Sequence, residues 1–206
     1  MKHRELKHVV LLREKVGSAV EVAVASLIKR AKRGEINAFA ELVDTYKDKI
    51  FAFLYRMTGN REDANDLAQE VFLRVYSNLH TFDTDMRFSP WIYRIAQNLA
   101  IDFLRKQKKT VYLDDQMGQD NDMSWQLESE APGPDEVALF HDFQSALEAA
   151  LHELAPMYRM VLLLRFVHDM SYEDIARVTE LPITTVKTRL HRARESLRQA
   201  LANKGY

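Results

Sequence analysis

Cysteine is absent from the 206 residues, which removes disulfide cross-links, a thiolate nucleophile and Cys-ligated zinc. That absence suits a reducing compartment, and the cytoplasm is the expected location. Six glycines and five prolines are too few for the many tight turns of a β-rich chain. No apolar run approaches the roughly 18–20 residues that cross a bilayer. Neither charge is in excess: 29 basic residues face 30 acidic ones, for a net charge of −1. Taken alone, that balance argues against a nucleic-acid binder. No Walker loop, Gly-x-Ser-x-Gly or His-Glu-x-x-His motif occurs, so no catalytic residue, metal, cofactor or small-molecule substrate is expected. What remains is 47% hydrophobic and 29% charged, ample for a packed core. An all-α protein is the expectation.

The neutral total hides an uneven distribution. Between Thr110 and Glu136 stand eight acidic residues (114, 115, 120, 122, 128, 130, 135 and 136) and no Lys or Arg. From Leu181 to Tyr206 stand six basic residues (187, 189, 192, 194, 198 and 204) against Glu195 alone. An acidic middle and a basic C-terminus are a cue to nucleic-acid contact.

Residues 1–26 begin basic and turn weakly apolar, but Glu21 interrupts the apolar part, so a secretory leader is rejected. They read as a short amphipathic helix or a frayed tail and are expected to lie outside the fold. A helical region is expected over 27–109. Phe39, Leu42, Val43, Tyr46, Ile50, Phe53 and Leu54 recur at helical spacing, and Gly59-Asn60 ends that helix. Asn60 is placed to cap a second helix, which buries Ala64, Leu67, Ala68, Val71, Phe72 and Val75. Residues 78–89 read as a loop, with Ser89-Pro90 as cap and first position of a third helix, 90–106. Residues 110–136 lose periodicity and read as a flexible acidic linker, and helix returns over 137–206. Two small helical domains joined by an acidic tether are therefore expected.

Near the C-terminus, Ser171 and Asp174 suggest a capping box opening a short helix, and Thr179-Glu180-Leu181-Pro182 breaks it. A longer basic helix follows, and the pair reads as a helix-turn-helix. In the second helix Val186, Leu190, Ala193, Leu197 and Leu201 share an inward face. Lys187, His191, Arg194 and Arg198 occupy another face, flanked by Thr184, Thr188 and Arg192. Such side chains suit phosphates and base edges of a major groove, although a solvated basic helix shows the same pattern.

Helix 90–106 turns Trp91, Arg94, Asn98 and Arg105 away from its apolar face, and Phe82 and Phe88 precede it. Aromatic, cation and amide together suit unstacked bases; aromatics at helical spacing also suit a core. On the second helix, Glu62, Asp63, Asp66, Gln69 and Glu70 form an acidic–amide face without the Glu-x-x-His pairs of a di-metal bundle. It reads as a solvated face or as a docking face for a basic partner. On residues alone, a helix-turn-helix repressor or activator with a ligand-sensing N-terminal domain stays open, as does a helical-bundle enzyme.

Three segments together resemble the extracytoplasmic-function (ECF) group of bacterial sigma factors, in the sigma-70 family. Asp63-Ala64-Asn65-Asp66-Leu67-Ala68-Gln69-Glu70-Val71-Phe72 is similar to region 2.2. Phe88-Ser89-Pro90-Trp91-Ile92-Tyr93-Arg94-Ile95-Ala96-Gln97-Asn98 resembles regions 2.3–2.4. Ser171-Tyr172-Glu173-Asp174-Ile175-Ala176 with Pro182-Ile183-Thr184-Thr185-Val186-Lys187-Thr188-Arg189-Leu190-His191-Arg192-Ala193-Arg194 resembles region 4.2. The resemblance covers residues 27–109 and 137–203, and its wording is nearest the SigW-like subgroup of Gram-positive bacteria.

The resemblance implies a σ2 domain over 27–109 and a σ4 domain over 137–206. Asp63, Asp66, Gln69 and Glu70 would dock on the β′ clamp helices of core RNA polymerase, and σ4 on the β flap. Phe82, Arg87, Phe88, Trp91, Arg94 and Asn98 would hold the single-stranded −10 element, with a base flipped into loop 80–88. Thr184, Thr185, Lys187, Thr188, His191 and Arg192 would enter the double-stranded −35 groove, and Arg165 would hold phosphate. The linker would thread the polymerase channels as a mimic of nucleic acid. An anti-sigma factor, membrane-anchored in some cases, would hold the protein silent. One departure stands out: the family usually has Gly where Thr184 stands.

Overall fold

Helix α2, Ile36–Thr58, forms because Ala38, Leu42, Tyr46, Ile50, Phe53, Leu54 and Met57 return to one side every three or four residues. All seven are buried. The helix ends at Gly59, whose φ of 79° is left-handed and whose N–H donates to the Tyr55 carbonyl at 2.8 Å. A side chain at Gly59 is disfavoured twice over, since a Cβ there would also lie 3.0 Å from the His152 ring. Asn60 then caps α3, Arg61–Asn78: its side-chain oxygen accepts from the N–H groups of Glu62 (2.8 Å) and Asp63 (3.1 Å).

The computed structural model describes residues 20–111 and 134–206, with side chains over 20–107 and 142–206. The expected acidic linker, 110–136, lies outside the described residues except at its ends, which belong to helices. Among the described residues every regular element is helical. A helix over 20–32, α1, precedes α2. Its Val24 and Ile28 are buried at 4% and 2% exposure. Residues 20–26, expected outside the fold, are thus part of it; Glu21 interrupts the apolar pattern because it faces outward to an ion pair.

After a single 3-10 turn at Leu79–Thr81, helix α4 runs Phe88–Val111. It starts two residues before the expected Pro90, and Ser89 is not its cap: the Ser89 hydroxyl bonds the Tyr46 hydroxyl at 2.9 Å. Pro90 still falls in the first turn, where a missing N–H costs nothing. Of Ile92, Ile95, Ala96, Leu99 and Phe103, which recur at helical spacing, Ile92, Ala96 and Leu99 are buried and Ile95 and Phe103 half-buried, but Tyr93 and Ala100 are buried as well. The cause is that α4 is covered from two sides, by α2 and α3 and by the second domain.

The second domain comprises α5 (Pro134–Glu153), α6 (Pro156–Leu162), a π-helical turn (Leu163–Val167), α7 (Tyr172–Thr179) and α8 (Ile183–Ala202). The π turn lets the His168 N–H reach back to Leu163, and the Met170 N–H to Leu164. Ser171 caps α7 by accepting from the Asp174 N–H at 3.0 Å. The reciprocal half of the expected capping box is absent, because the Asp174 carboxylate is turned to Arg87 and Arg177. Glu180, at φ 55°, closes α7 in the left-handed region. Val186, Leu190, Ala193 and Ala200 of α8 pack inward.

The two domains are docked, α7 on α4 and α5 and α6 on α2. Buried Arg159 of α6 spans the seam. It donates to the carbonyls of Met57 (2.6 Å) and Arg56 (3.5 Å) at the end of α2, and to those of Leu151 (2.8 Å), His152 (2.5 Å) and Leu154 (3.3 Å). Five carbonyls stand in for a counter-ion, and burial lowers its pKa to about 10, still cationic at neutral pH. Nearby, the Tyr93 hydroxyl bonds His168 Nδ1 at 2.7 Å, and the imidazole packs against the rings of Tyr93 and Phe53.

Candidate nucleic-acid interface

Helix α8 carries an exposed candidate surface. Its inward stripe fixes the roll of the helix, and the roll puts Thr184, Lys187, Thr188, His191 and Arg192 on the exposed side. Lys187, Thr188, His191 and Arg192 line one groove with Tyr158, Glu195, Ser196 and Gln199. The Thr188 hydroxyl donates to the Thr184 carbonyl at 3.0 Å, which leaves the oxygen's lone pairs outward. Thr185 is half-buried, at the edge of this surface. Arg165 lies off α8: it donates to the Met170 carbonyl at 2.8 Å and sits 5.3 Å from the Tyr172 ring. Lys187 approaches the same ring at 5.7 Å, so Tyr172 gathers two cations beside the turn. Tyr158 and Gln199 were not expected here. Tyr158 is supplied by α6, and no local pattern links it to α8.

Helix α4 and its preceding loop are arranged differently. The rings of Phe82 and Phe88 are buried, each at 4% exposure, and form a cluster with half-buried Trp91. Phe82 and Phe88 therefore offer no stacking surface in this conformation; their expected exposure is corrected by core packing under the loop. Arg87 and Arg94 reach the surface, yet both are ion-paired. Arg87 bonds Glu21 of α1 and Asp174 of α7, and Arg94 bonds Glu180 at the helix-turn-helix turn. Asn98 is exposed, its side-chain oxygen accepting from Gln97 at 2.8 Å. Glu21, Asp174 and Glu180 were missed because sequence separations of tens of residues leave no local signal.

On α3, Asp66 and Gln69 are exposed, while Asp63 and Glu70 are half-buried. Burial, with Asp66 and Glu62 beside it, pushes the Asp63 carboxyl up from its usual value. Glu70 accepts from Arg74 at 2.7 Å. Leu73 and Tyr76 continue this stripe at 63% and 62% exposure, and Tyr76 packs edge-on against Phe39 at 5.0 Å. The face is thus acidic at one end and apolar at the other. The apolar end was readable, since Leu73 and Tyr76 fall off the helix's buried stripe.

Residues 42–110 match the family model for sigma-70 region 2, and residues 144–197 match that for sigma-70 region 4. The chain is 39% identical over 184 residues to the ECF RNA polymerase sigma factor SigW of Bacillus subtilis, covering 88% of this chain and 98% of that one. It is 33% identical over 180 residues to the RNA polymerase sigma-H factor of Pseudomonas aeruginosa, covering 85% and 92%. In fold it is similar to CnrH solved in complex with the cytosolic domain of CnrY, with a TM-score of 0.63 at 25% identity over 88% of this chain and 98% of that one. It is also similar in fold to the Bartonella quintana sigma factor RpoE solved with the anti-sigma factor NepR, with a TM-score of 0.64 at 21% identity, covering 80% and 96%. Two helical domains in the order region 2 then region 4, and relatives matched over nearly their whole length, give one conclusion: the chain belongs to the ECF sigma factors of the sigma-70 family.

Proposed function

We propose that this sigma factor docks on core RNA polymerase through Asp63, Asp66, Gln69 and Glu70, with Leu73 and Tyr76 extending the contact. In this reading the acidic end of α3 meets the basic β′ clamp helices, and σ4 meets the β flap. Lys187, Thr188, His191 and Arg192, with Thr184 and Thr185 at the helix start, read the −35 duplex, and Arg165 holds phosphate. Arg87, Arg94, Asn98 and Trp91 hold the melted −10 strand. The observation that carries the reading is the exposed basic face of α8 on the second helix of a helix-turn-helix. Arg and Lys supply phosphate and guanine contacts, and Thr and His supply shorter polar ones.

The chain does no chemistry of its own in this scheme; the polymerase catalyses, and σ selects the start. Melting is driven by differential binding. Unstacked bases find partners only in the open state, which offsets the few kcal/mol lost on unstacking. The −10 contacts also need Phe82 and Phe88 to loosen from the core before either ring can stack on a base. No helix among the described residues is long and apolar enough to cross a membrane, in keeping with work on a cytoplasmic polymerase. A regulatory partner is part of the proposal: the similar CnrH is solved with the cytosolic domain of CnrY, and an anti-sigma factor is the partner expected for this chain.

The test is run-off transcription with bacterial core polymerase, with and without this chain, on the region upstream of its own gene. A discrete σ-dependent transcript is expected. Absence of both transcript and co-elution with core would overturn the proposed polymerase-docking and promoter contacts.

A further inference from the structure

Residues 82–87 join the 3-10 turn to α4 and belong to the loop proposed above to face the −10 strand. Packing holds the two ends of this loop and not its middle. Phe82 and Phe88 are buried, whereas Asp83, Asp85, Met86 and Arg87 are exposed. Between the middle of the loop and α1 lies a groove of about 260 Å³, walled by Val24, Ala25 and Ile28 on one side and by Thr84, Asp85 and Met86 on the other. A segment backed by a gap lacks the contacts on that side that would fix its path.

Hydrogen bonds take the place of packing. Asp83 closes a turn within the loop: its carboxylate accepts from the Asp85 N–H at 3.0 Å, and its carbonyl from the Met86 N–H at 3.1 Å. That turn is local, so its aim is set by whatever holds the ends. At the entrance the Lys32 ammonium, from the last turn of α1, donates to the Phe82 carbonyl at 2.8 Å across 50 positions of sequence. The Phe82 N–H is engaged too, by the Leu79 carbonyl at 3.1 Å. At the exit the Tyr46 and Ser89 hydroxyls share a hydrogen bond of 2.9 Å, and the Tyr46 ring meets Phe88 edge-on at 5.3 Å. Both hydrogen bonds grip beside the Phe82 and Phe88 rings and not through them, so the rings can loosen while the ends of the loop stay placed.

We propose that Lys32 of α1 and Tyr46 of α2 are positioning residues for the −10 element: they fix the two ends of loop 82–87 and thereby set which base it accepts. Neither residue touches DNA in this scheme. The proposal rests on assigning the loop to the −10 strand. Its physical basis is that a base is chosen by hydrogen bonds, which weaken steeply once the distance or angle drifts. A loop without backing transmits any drift of its ends to the groups that face the base.

The experiment is run-off transcription by holoenzyme carrying full-length variants, on promoters in which each −10 base is replaced in turn. Lys32→Met keeps the stem and removes the donor; Tyr46→Phe keeps the ring and removes the hydroxyl. Each should lower the discrimination between the native base and its replacements about tenfold at one or two −10 positions, the ratio one intramolecular hydrogen bond carries. Discrimination at the −35 element should hold. Lys32→Arg, which keeps a donor, should restore −10 discrimination. Lys29→Met, which removes a neighbouring charge of α1, should leave it unchanged.

Unaltered discrimination in both Lys32→Met and Tyr46→Phe would overturn the positioning, as would an equal loss at every −10 and −35 position, which marks a merely structural role. Arg94→Ala and Asn98→Ala on the same promoters separate the causes. If they impair transcription while the Lys32 and Tyr46 variants discriminate normally, the −10 assignment stands and only the positioning is rejected. If they leave transcription unimpaired, the assignment is rejected and the positioning with it.

Discussion

Helices α4 and α8 are both proposed to touch promoter DNA, and the structure prepares them in opposite ways. On α8 the proposed contacts stand on the solvent side of a helix whose other side is locked by Val186, Leu190 and Ala193. On α4 and the loop before it most of the proposed contacts are engaged within the protein, Phe82 and Phe88 in the core and Arg87 and Arg94 in ion pairs to the second domain, while Asn98 is exposed. The difference matches the tasks. A duplex groove is met by a preformed surface, because duplex DNA has its shape already. A single strand exists only after melting, so a site available only after rearrangement spends its interactions on the open state.

The comparison depends on the domains being docked, and Arg159 is the most consequential place to break it. Arg159→Ala strands carbonyls at the end of α2 and around the α5–α6 turn inside a buried seam. An expected loss of about 3 kcal/mol follows from the cost of unsatisfied buried groups. Urea unfolding checks it; a loss under about 1 kcal/mol would show that the seam is held by apolar packing alone.

Next in size are the α8 contacts. Lys187→Ala and Arg192→Ala should each reduce a −35-dependent transcript roughly tenfold or more, since a good base contact is worth about 1–3 kcal/mol. Co-elution with core polymerase should be unaffected. If neither substitution matters, α8 is a solvated basic helix and the contrast with α4 disappears.

How far these features could be read from sequence follows the same divide. The faces of α8 were legible over its first three turns because the helix is buried on one side; toward its end Ala200 is buried, which the pattern did not include, while the expected Leu197 and Leu201 are half-buried. The Asn60 cap and the Gly59 stop were legible because capping is local. Helix α4 defeated the same reasoning. Tyr93 is buried by the second domain, which a single-face pattern does not foresee, and Ser89 is taken by Tyr46, 43 residues away. The loop aromatics were ambiguous for a physical reason: a ring that stacks on a base and a ring that fills a core are the same residue. Residues 20–26 were placed outside the fold because the resemblance to the family begins after them, and the Glu21–Arg87 pair that ties them in spans 66 positions, too far for a local pattern to show.

A smaller effect comes from protons at the seam. Burial pushes the His168 imidazole down to about 3, and the cations Arg56 and Lys49 add to the shift. A histidine whose folded pKa lies below its unfolded value near 6.5 contributes no pH dependence above 6.5. Below it, the unfolded chain binds a proton that the folded chain refuses, so stability falls toward pH 3 by roughly 1 kcal/mol per pH unit. Thermal midpoints measured from pH 7.5 down to 5 should therefore decline, and His168→Phe should make that decline shallower while keeping a ring between Phe53 and Tyr93, the remainder coming from His152, whose imidazole burial and Arg159 push down to about 4. An equally steep decline in the variant would assign the sensitivity to His152 and other groups and not to His168.

The smallest expected effect lies at Thr184, where the family usually has glycine. Thr184 is exposed on the first turn of α8, and only its carbonyl is engaged, by the Thr188 hydroxyl, so Thr184→Gly removes no internal contact. Glycine costs up to about 1 kcal/mol in a helix interior and less in a first turn, so the thermal midpoint should drop slightly. At the groove the sign reverses. Removing the side chain lets a phosphate approach the free N–H groups at the helix start, where the helix dipole favours an anion. Affinity for a −35 duplex should therefore rise by less than about threefold, since a dipole interaction is worth roughly 0.3–1 kcal/mol. Fluorescence anisotropy on the duplex, paired with thermal melts, reads both effects. A fall in affinity would mean that the Thr184 side chain itself contacts DNA, and that α8 is set against the groove by a hydroxyl and not by bare backbone.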